Sequence, residues 1–228
     1  METIPLRARI LETIVRKSTL KQKVFDNTFA TFNELKDILF EMSSEWDDEL
    51  DGRIDRRVRI EYRDRGKFEA QLQIANDLLI FQMHTDVFEF DDAHPIWKTP
   101  YVQADRENSY CGVVNIYNFL SDSFKFNRNA DEGYLIGRLF INRDRRYFVE
   151  GKGQTTLRAA DFGKDEIDHD ALIAILESAI AFSLDFDLLL PPYEENKRVT
   201  VDQFNTKMDN SKFVTGKRLG YEFNVEDI

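Results

Sequence analysis

Cysteine is almost missing from this chain of 228 residues: Cys111 stands alone, so no disulfide can close within one molecule and no multi-cysteine metal site can form. That usage favours a reducing compartment. Proline and glycine are scarce too, at 5 and 10 residues, roughly half their usual combined share of ~12%, which excludes collagen-like structure and long low-complexity linkers. No hydrophobic run is long enough for a membrane span. The most apolar window, Ala171 to Pro192, is broken by Glu177, Asp185 and Asp187 and falls short of the ~20 nearly uncharged residues required. The opening Met1-Glu2-Thr3-Ile4-Pro5-Leu6-Arg7 lacks the apolar core of a signal peptide, and the expectation is a protein made and kept in the cytoplasm. Positive charge is also short, with 31 Lys and Arg against 42 Asp and Glu and a net charge of −11.

What is present can fold. Hydrophobic residues make up 42% of the chain and 19 residues are Phe, well clear of the compositions that stay disordered. From Pro5 to Lys17 the residues Leu6, Ile10, Leu11, Ile14 and Val15 recur at helical spacing, with Arg7, Arg9, Arg16 and Lys17 among them, which predicts a short amphipathic helix. Ser18 and Thr19 interrupt the pattern, and Thr19 with Gln22 has the form of a capping box, so a second helix is expected to start there. Leu20, Val24, Thr28, Phe32, Leu35, Leu39, Met42 and Trp46 then step by three or four, and Phe25, Phe29 and Ile38 widen the face. This helix could run ~30 residues, or ~45 Å, before Gly52 ends it.

Alternation takes over next. Val58, Ile60 and Tyr62, then Phe68, Ala70, Leu72 and Ile74, alternate with charged and polar residues, predicting two half-buried strands joined through Asp64-Arg65-Gly66. Leu78 to His84 reads as a third strand. Asp91 to Ser109 has no period and is expected to be a loop. Gly112 to Leu120, Ser123 to Asn127, Tyr134 to Asn142 and Arg146 to Glu150 carry further strand-like runs, although 116–120 fits a helix equally well. Asp168 or Asp170 can cap a helix through Leu172, Ile173, Leu176, Ala179, Ile180 and Phe182, stopped by Pro191-Pro192. Thr200 and Gln203 allow a short helix to about Met208, and Leu219 to Phe223 a final strand or ordered tail. The expected fold is α+β in a single domain over 1–228: N-terminal helices, one of them long and amphipathic (5–50), a central antiparallel β-meander (56–150), and a C-terminal helix packed on the sheet (168–210).

The search for chemistry returns little. Gly151-Lys152-Gly153-Gln154-Thr155-Thr156 lacks the leading glycine and the hydroxyl that a phosphate loop needs. Cys111 has no histidine near it in sequence and reads as a buried structural thiol. His84-Thr85-Asp86, followed by Glu89, Asp91, Asp92 and His94, is the one constellation with metal-ligand character. A metal-dependent hydrolase of phosphoesters or other anionic substrates, with His84, Asp86, Asp92 and His94 as ligands and Arg65 or Arg145 holding the anion, is the alternative function. Exposed polar residues at a strand end account for the same stretch. Arginines cluster at 53–65 and 138–146, but the interleaved acids and the net charge weigh against nucleic acid as a partner.

Charge is segregated along the chain. Residues 26–51 hold nine acids and Lys36 as the single base, and 161–195 are nearly as one-sided around Lys164. The first expectation is therefore a non-catalytic acidic interaction module, an adaptor, chaperone-like protein or assembly component without a cofactor. In outline, helices on an antiparallel meander at low pI are similar to the small acidic secretion chaperones, a likeness of fold that no motif carries. Its partner would be another protein or a second copy of the chain. The expected contact surface is an apolar strip with Phe25, Phe29, Phe32 and Trp46, or the loop with Trp97 and Tyr101.

Overall fold

A computed structural model of the chain describes residues 5–55, 58, 60–129, 131–151, 161–185 and 200–201. The glycine-lysine stretch at 152–156, the Pro191-Pro192 stop, the helix expected to reach Met208 and the terminal strand at 219–223 lie outside the described residues.

Helix α1 runs from Leu6 to Leu50 without a break, 45 residues in all. The two N-terminal helices expected from Ser18-Thr19 are one. No glycine or proline occurs between residues 6 and 50, and Ser and Thr alone cost a helix interior too little to stop it. The Thr19 capping box does not form, and Gln22 instead donates along the helix to Asp26 Oδ1 at 2.9 Å. Gly52, with φ +73, turns the chain away after the last helical residue, as its position predicted.

Six antiparallel strands follow in sequence order: β1 (Ile60–Asp64), β2 (Glu69–Ile74), β3 (Asp77–Met83), β4 (Cys111–Leu120), β5 (Tyr134–Asn142) and β6 (Tyr147–Gly151). The antiparallel meander is as expected, and 116–120 is strand, pairing with β3 from Ile116↔Phe81 to Leu120↔Asp77. The segment 123–127 is not. Its Phe124 and Phe126 mimic a two-residue period, but the chain leaves the sheet at Leu120 and winds into a short helix at Ser121–Lys125, while Ser121 N–H donates to Asn76 O at 2.8 Å. The expected loop at 91–109 is built from a 3-10 turn (Pro95–Lys98), α2 (Pro100–Ala104) and a second 3-10 turn (Arg106–Ser109). Thr99 Oγ1 caps α2 and Asp105 Oδ1 caps the second turn. These are two-turn elements at most, too short to register as a period. The helix at Ser121–Lys125 is α3, and α4 (His169–Leu184) starts where Asp168 Oδ1 accepts from Ala171 N–H at 2.9 Å.

Both faces of the sheet are used. On one, α1 and α4 bury Phe32, Leu35, Leu39, Leu172 and Leu176 against Leu72, Leu79, Phe81, Ile116, Leu139 and Ile141. On the other, the segment 90–109 and Phe162 cover Cys111, Val113, Phe140 and Phe148. α1 crosses the sheet closely at Gly112, where a Cβ would overlap the Thr28 side chain. Lys36, the one base in the acidic half of α1, is nearly buried and clamps the β1–β2 turn. Its Nζ lies 2.7 Å from Asp64 Oδ2 and donates to Gly66 O at 3.0 Å. Gly66, at φ +107, in turn donates its N–H to Asp64 Oδ1 at 2.8 Å.

Two expected outcomes test this packing. Gly112→Ala should cost ~1–3 kcal/mol of unfolding free energy, because Thr28 cannot retreat from a close-packed helix; an unchanged urea midpoint would show the crossing to be looser than this. The Lys36 ammonium, then the Gly66 N–H, hold the Asp64 carboxyl below the usual carboxylate range. The stabilisation is thus present above the ordinary aspartate value of ~3.9 and lost as pH falls below it. Lys36→Met should return the Asp64 titration, followed by NMR, toward that ordinary value and cost about 1 kcal/mol at neutral pH.

Candidate interaction surface

The sheet stops before the helix does. Residues 5–19 are all exposed and Leu20 is the first buried residue of α1. Along this projection Leu6, Ile10, Leu11, Ile14 and Val15 lie open to solvent at 49–67% of their full area. At 3.6 residues per turn they occupy one half of the helix surface. Arg7, Arg9, Arg16 and Lys17 share these turns with a single acid, Glu12. Arg16, 3.4 Å from Glu107, makes the last ion pair to the body of the protein.

The opposite end of α1 has the opposite charge. A cleft of about 470 Å³ opens between the last turn of the helix and the start of β1. It is lined by Asp47, Asp48, Asp51, Asp55 and Glu61 together with Leu50, Ile54, Val58 and Ile60. Ile54 and Val58 are more than one third exposed, so the described lining of the cleft combines apolar side chains with carboxylates.

The expected aromatic strip is distributed otherwise. Phe32 is fully buried in the core and presents no surface. Phe25 and Phe29 stack on each other at 6.1 Å and meet Phe68 edge-on, sealing the contact between α1 and the approach to β2. Trp46 is half-buried against the core. Trp97 donates its indole N–H to Asp91 O at 2.8 Å under the Arg106 guanidinium. The sequence alone does not mark Leu6, Ile10, Leu11, Ile14 and Val15 as contact residues. Their spacing was legible, but a break at Ser18 would have let this short helix fold back on the body, and only the continuity of α1 carries it into solvent.

Tyr101 belongs to a polar hub at the β5–β6 turn. Its hydroxyl donates to Asp144 Oδ2 at 2.7 Å and accepts from Asn142 Nδ2 at 3.0 Å. Asn142, fully buried, also donates to Asn108 O and accepts the N–H groups of Asp144 and Arg146. Arg143 reaches Asp105 at 2.5 Å and Glu107 at 3.0 Å, and Asn27 of α1 donates to the carbonyls of Asn142 and Arg143. The hub joins α1, the 90–109 segment and the sheet.

The residues considered for metal and anion binding are occupied by local structure. His84 Nδ1 accepts from Asp86 N–H at 3.0 Å, and its ring meets Phe88 edge-on. Asp86 and Asp92 point into solvent. His94 caps the 3-10 turn, its Nδ1 accepting from Ile96 N–H at 3.2 Å, which leaves Nε2 as the donor to Glu150 Oε1 at 2.8 Å. Among the described residues no three of His, Cys, Asp and Glu converge as metal ligands would. Arg145 is engaged by Glu34 and by the Ile167 carbonyl, whereas Arg65 sits exposed in the β1–β2 turn, 3.9 Å from Glu69. Cys111 is fully buried, and burial pushes its thiol up. No described helix is long and apolar enough to cross a membrane.

Burial, with the Asp144 carboxylate behind it, pushes the Tyr101 phenol up to about 12. Its contribution to stability is therefore intact below the ordinary tyrosine value of ~10 and is lost as pH rises toward 12. Tyr101→Phe should cost about 1 kcal/mol at neutral pH and flatten the fall in stability through that window. Tyr62, also pushed up to about 12 by burial, should behave alike, and a Tyr101→Phe protein whose stability still falls as steeply as the wild type's above pH ~10 would contradict the assignment.

Compared with protein-family models, with curated proteins and with solved structures, the chain finds no match, so its function has to be argued from geometry and chemistry.

Proposed function

We propose that the protein is a non-catalytic interaction module that engages a protein partner through the projecting turns of α1. One observation carries the reading: five large aliphatic side chains stand in water on one half of a helix that is already formed. Full burial of such a side chain is worth ~1.5–3 kcal/mol, so the projection holds a sizeable unused driving force for association. An isolated helix of this length would be marginal in water. Here the turns are continuous with a packed helix, so a partner meets a surface whose backbone is already ordered, and the entropy cost of binding falls accordingly. Arg7, Arg9, Arg16 and Lys17 add selectivity for an acidic counterpart.

The test is affinity capture from the native extract with the full chain and with Ile10→Asp/Ile14→Asp. Both positions are exposed, so the variant should keep its melting temperature. The expected outcome is a stoichiometric companion, whether another protein or a second copy, that the variant loses. Equal recovery by both proteins would place the binding surface elsewhere and defeat the reading.

A further inference from the structure

The two ends of α1 fit each other. Residues 5–23 carry six Lys and Arg against Glu12, and residues 26–51 carry nine acids against Lys36. The basic end projects with its aliphatic side chains exposed, and the acidic end borders a cleft that itself shows Leu50, Ile54, Val58 and Ile60. Resting on the reading of the projection as a docking surface, we propose that its occupant is a second copy of this chain, with two α1 helices packed antiparallel in a closed two-fold dimer.

Antiparallel pairing is what the charge pattern selects. Side by side in the same direction, or tip against tip, the helices would set Arg7, Arg9, Arg16 and Lys17 against their own equivalents, a like-charge contact that costs affinity. Reversed, each basic tip lies along the other copy's acidic half, and the two helix dipoles also oppose. The apolar residues agree with this register. Leu11, Val15 and Phe40 fall within ~40° of one another around the helix axis, and Phe40 is 58% exposed on the body of the protein. In the reversed pair, Leu11 and Val15 of one copy meet Phe40 of the other, while Leu6, Ile10 and Ile14 turn away from that seam and the long side chains of Arg7 and Arg9 reach toward its Asp47 and Asp48. Two-fold symmetry makes each contact twice and closes the assembly, so the same complementarity gives a dimer and not a filament.

Sedimentation velocity on the full chain reads the result. The wild type should sediment as a dimer that dissociates on dilution, and Arg7→Glu/Arg9→Glu or Asp47→Lys/Asp48→Lys should each weaken it by ~10-fold or more. All four positions are exposed. An equimolar mixture of the two double variants should regain the dimer, because the unlike pair keeps one contact as in the wild type and restores the other with its signs exchanged. A second, independent measurement is cross-linking between Val15→Cys and Phe40→Cys proteins under mild oxidation, which should join unlike copies and leave Val15→Cys alone unjoined; the buried Cys111 stays out of the reaction. A wild type that is monomeric at every concentration, a mixture that stays monomeric, or a dimer indifferent to both charge reversals would overturn the proposal. A monomer that still loses a captured protein on Ile10→Asp/Ile14→Asp overturns the second copy as occupant and leaves the interaction reading standing.

Discussion

The length of α1 against the width of the sheet governs this molecule. Six strands at ~4.8 Å spacing span ~24 Å between the outer two, whereas 45 helical residues reach ~67 Å. Even laid obliquely from β1 to β5, which it contacts in turn, such a helix must overhang. The overhang falls at the N-terminal end because the chain is anchored elsewhere, by Thr28 over Gly112, by Asn27 on the β5–β6 turn and by Lys36 on the β1–β2 turn. What projects is then fixed by the sequence that precedes Leu20, and that sequence is apolar and basic.

Most of the charge segregation visible along the chain is resolved inside the fold. Arginines of the β5–β6 turn meet acids of α1 and of the 90–109 segment: Arg145 pairs with Glu34, and Arg143 with Asp105 and Glu107. Arg138 meets Glu150 across two strands, and Glu150 also receives His94. These pairs are partly exposed and individually modest, but they converge on the turn that Asn142 organises from within, so the polar groups there position three elements at once. The two ends of α1 remain in contrast, a basic projection and a cleft whose described lining is acidic.

The first two strands were legible from their period of two, and Tyr134–Asn142 is β5 as its run of β-branched and aromatic residues predicts; the caps at Asp168 and Gly52 are local signals that the structure uses locally. What escaped depended on tertiary context. Whether Ser18-Thr19 ends a helix is decided by what lies on either side of it, and nothing in a capping-box pattern reveals that the helix already exists upstream. Phe124 and Phe126 alternate like a strand, yet the sheet has ended at Leu120. The surface followed the same logic: Phe32 has the residue type of a contact and the position of a core residue, while the exposure of Ile10 and Ile14 follows only once α1 is known to outrun the sheet. His84 and His94 looked like ligands by composition and serve their own turns.

The strands of the meander each pair with the neighbour just made, but the helix does not have that advantage. Asn27 finds its acceptors 115 and 116 residues further along the chain. At synthesis rates of ~5–20 residues per second, α1 waits about 6–23 s for the turn that will hold it. For the first part of that interval, until β1 to β3 have been made, the face bearing Phe32, Leu35 and Leu39 has no sheet to cover. The N-terminal half of α1 is therefore held last, by the β5–β6 turn late in the chain, although α1 is the element made first.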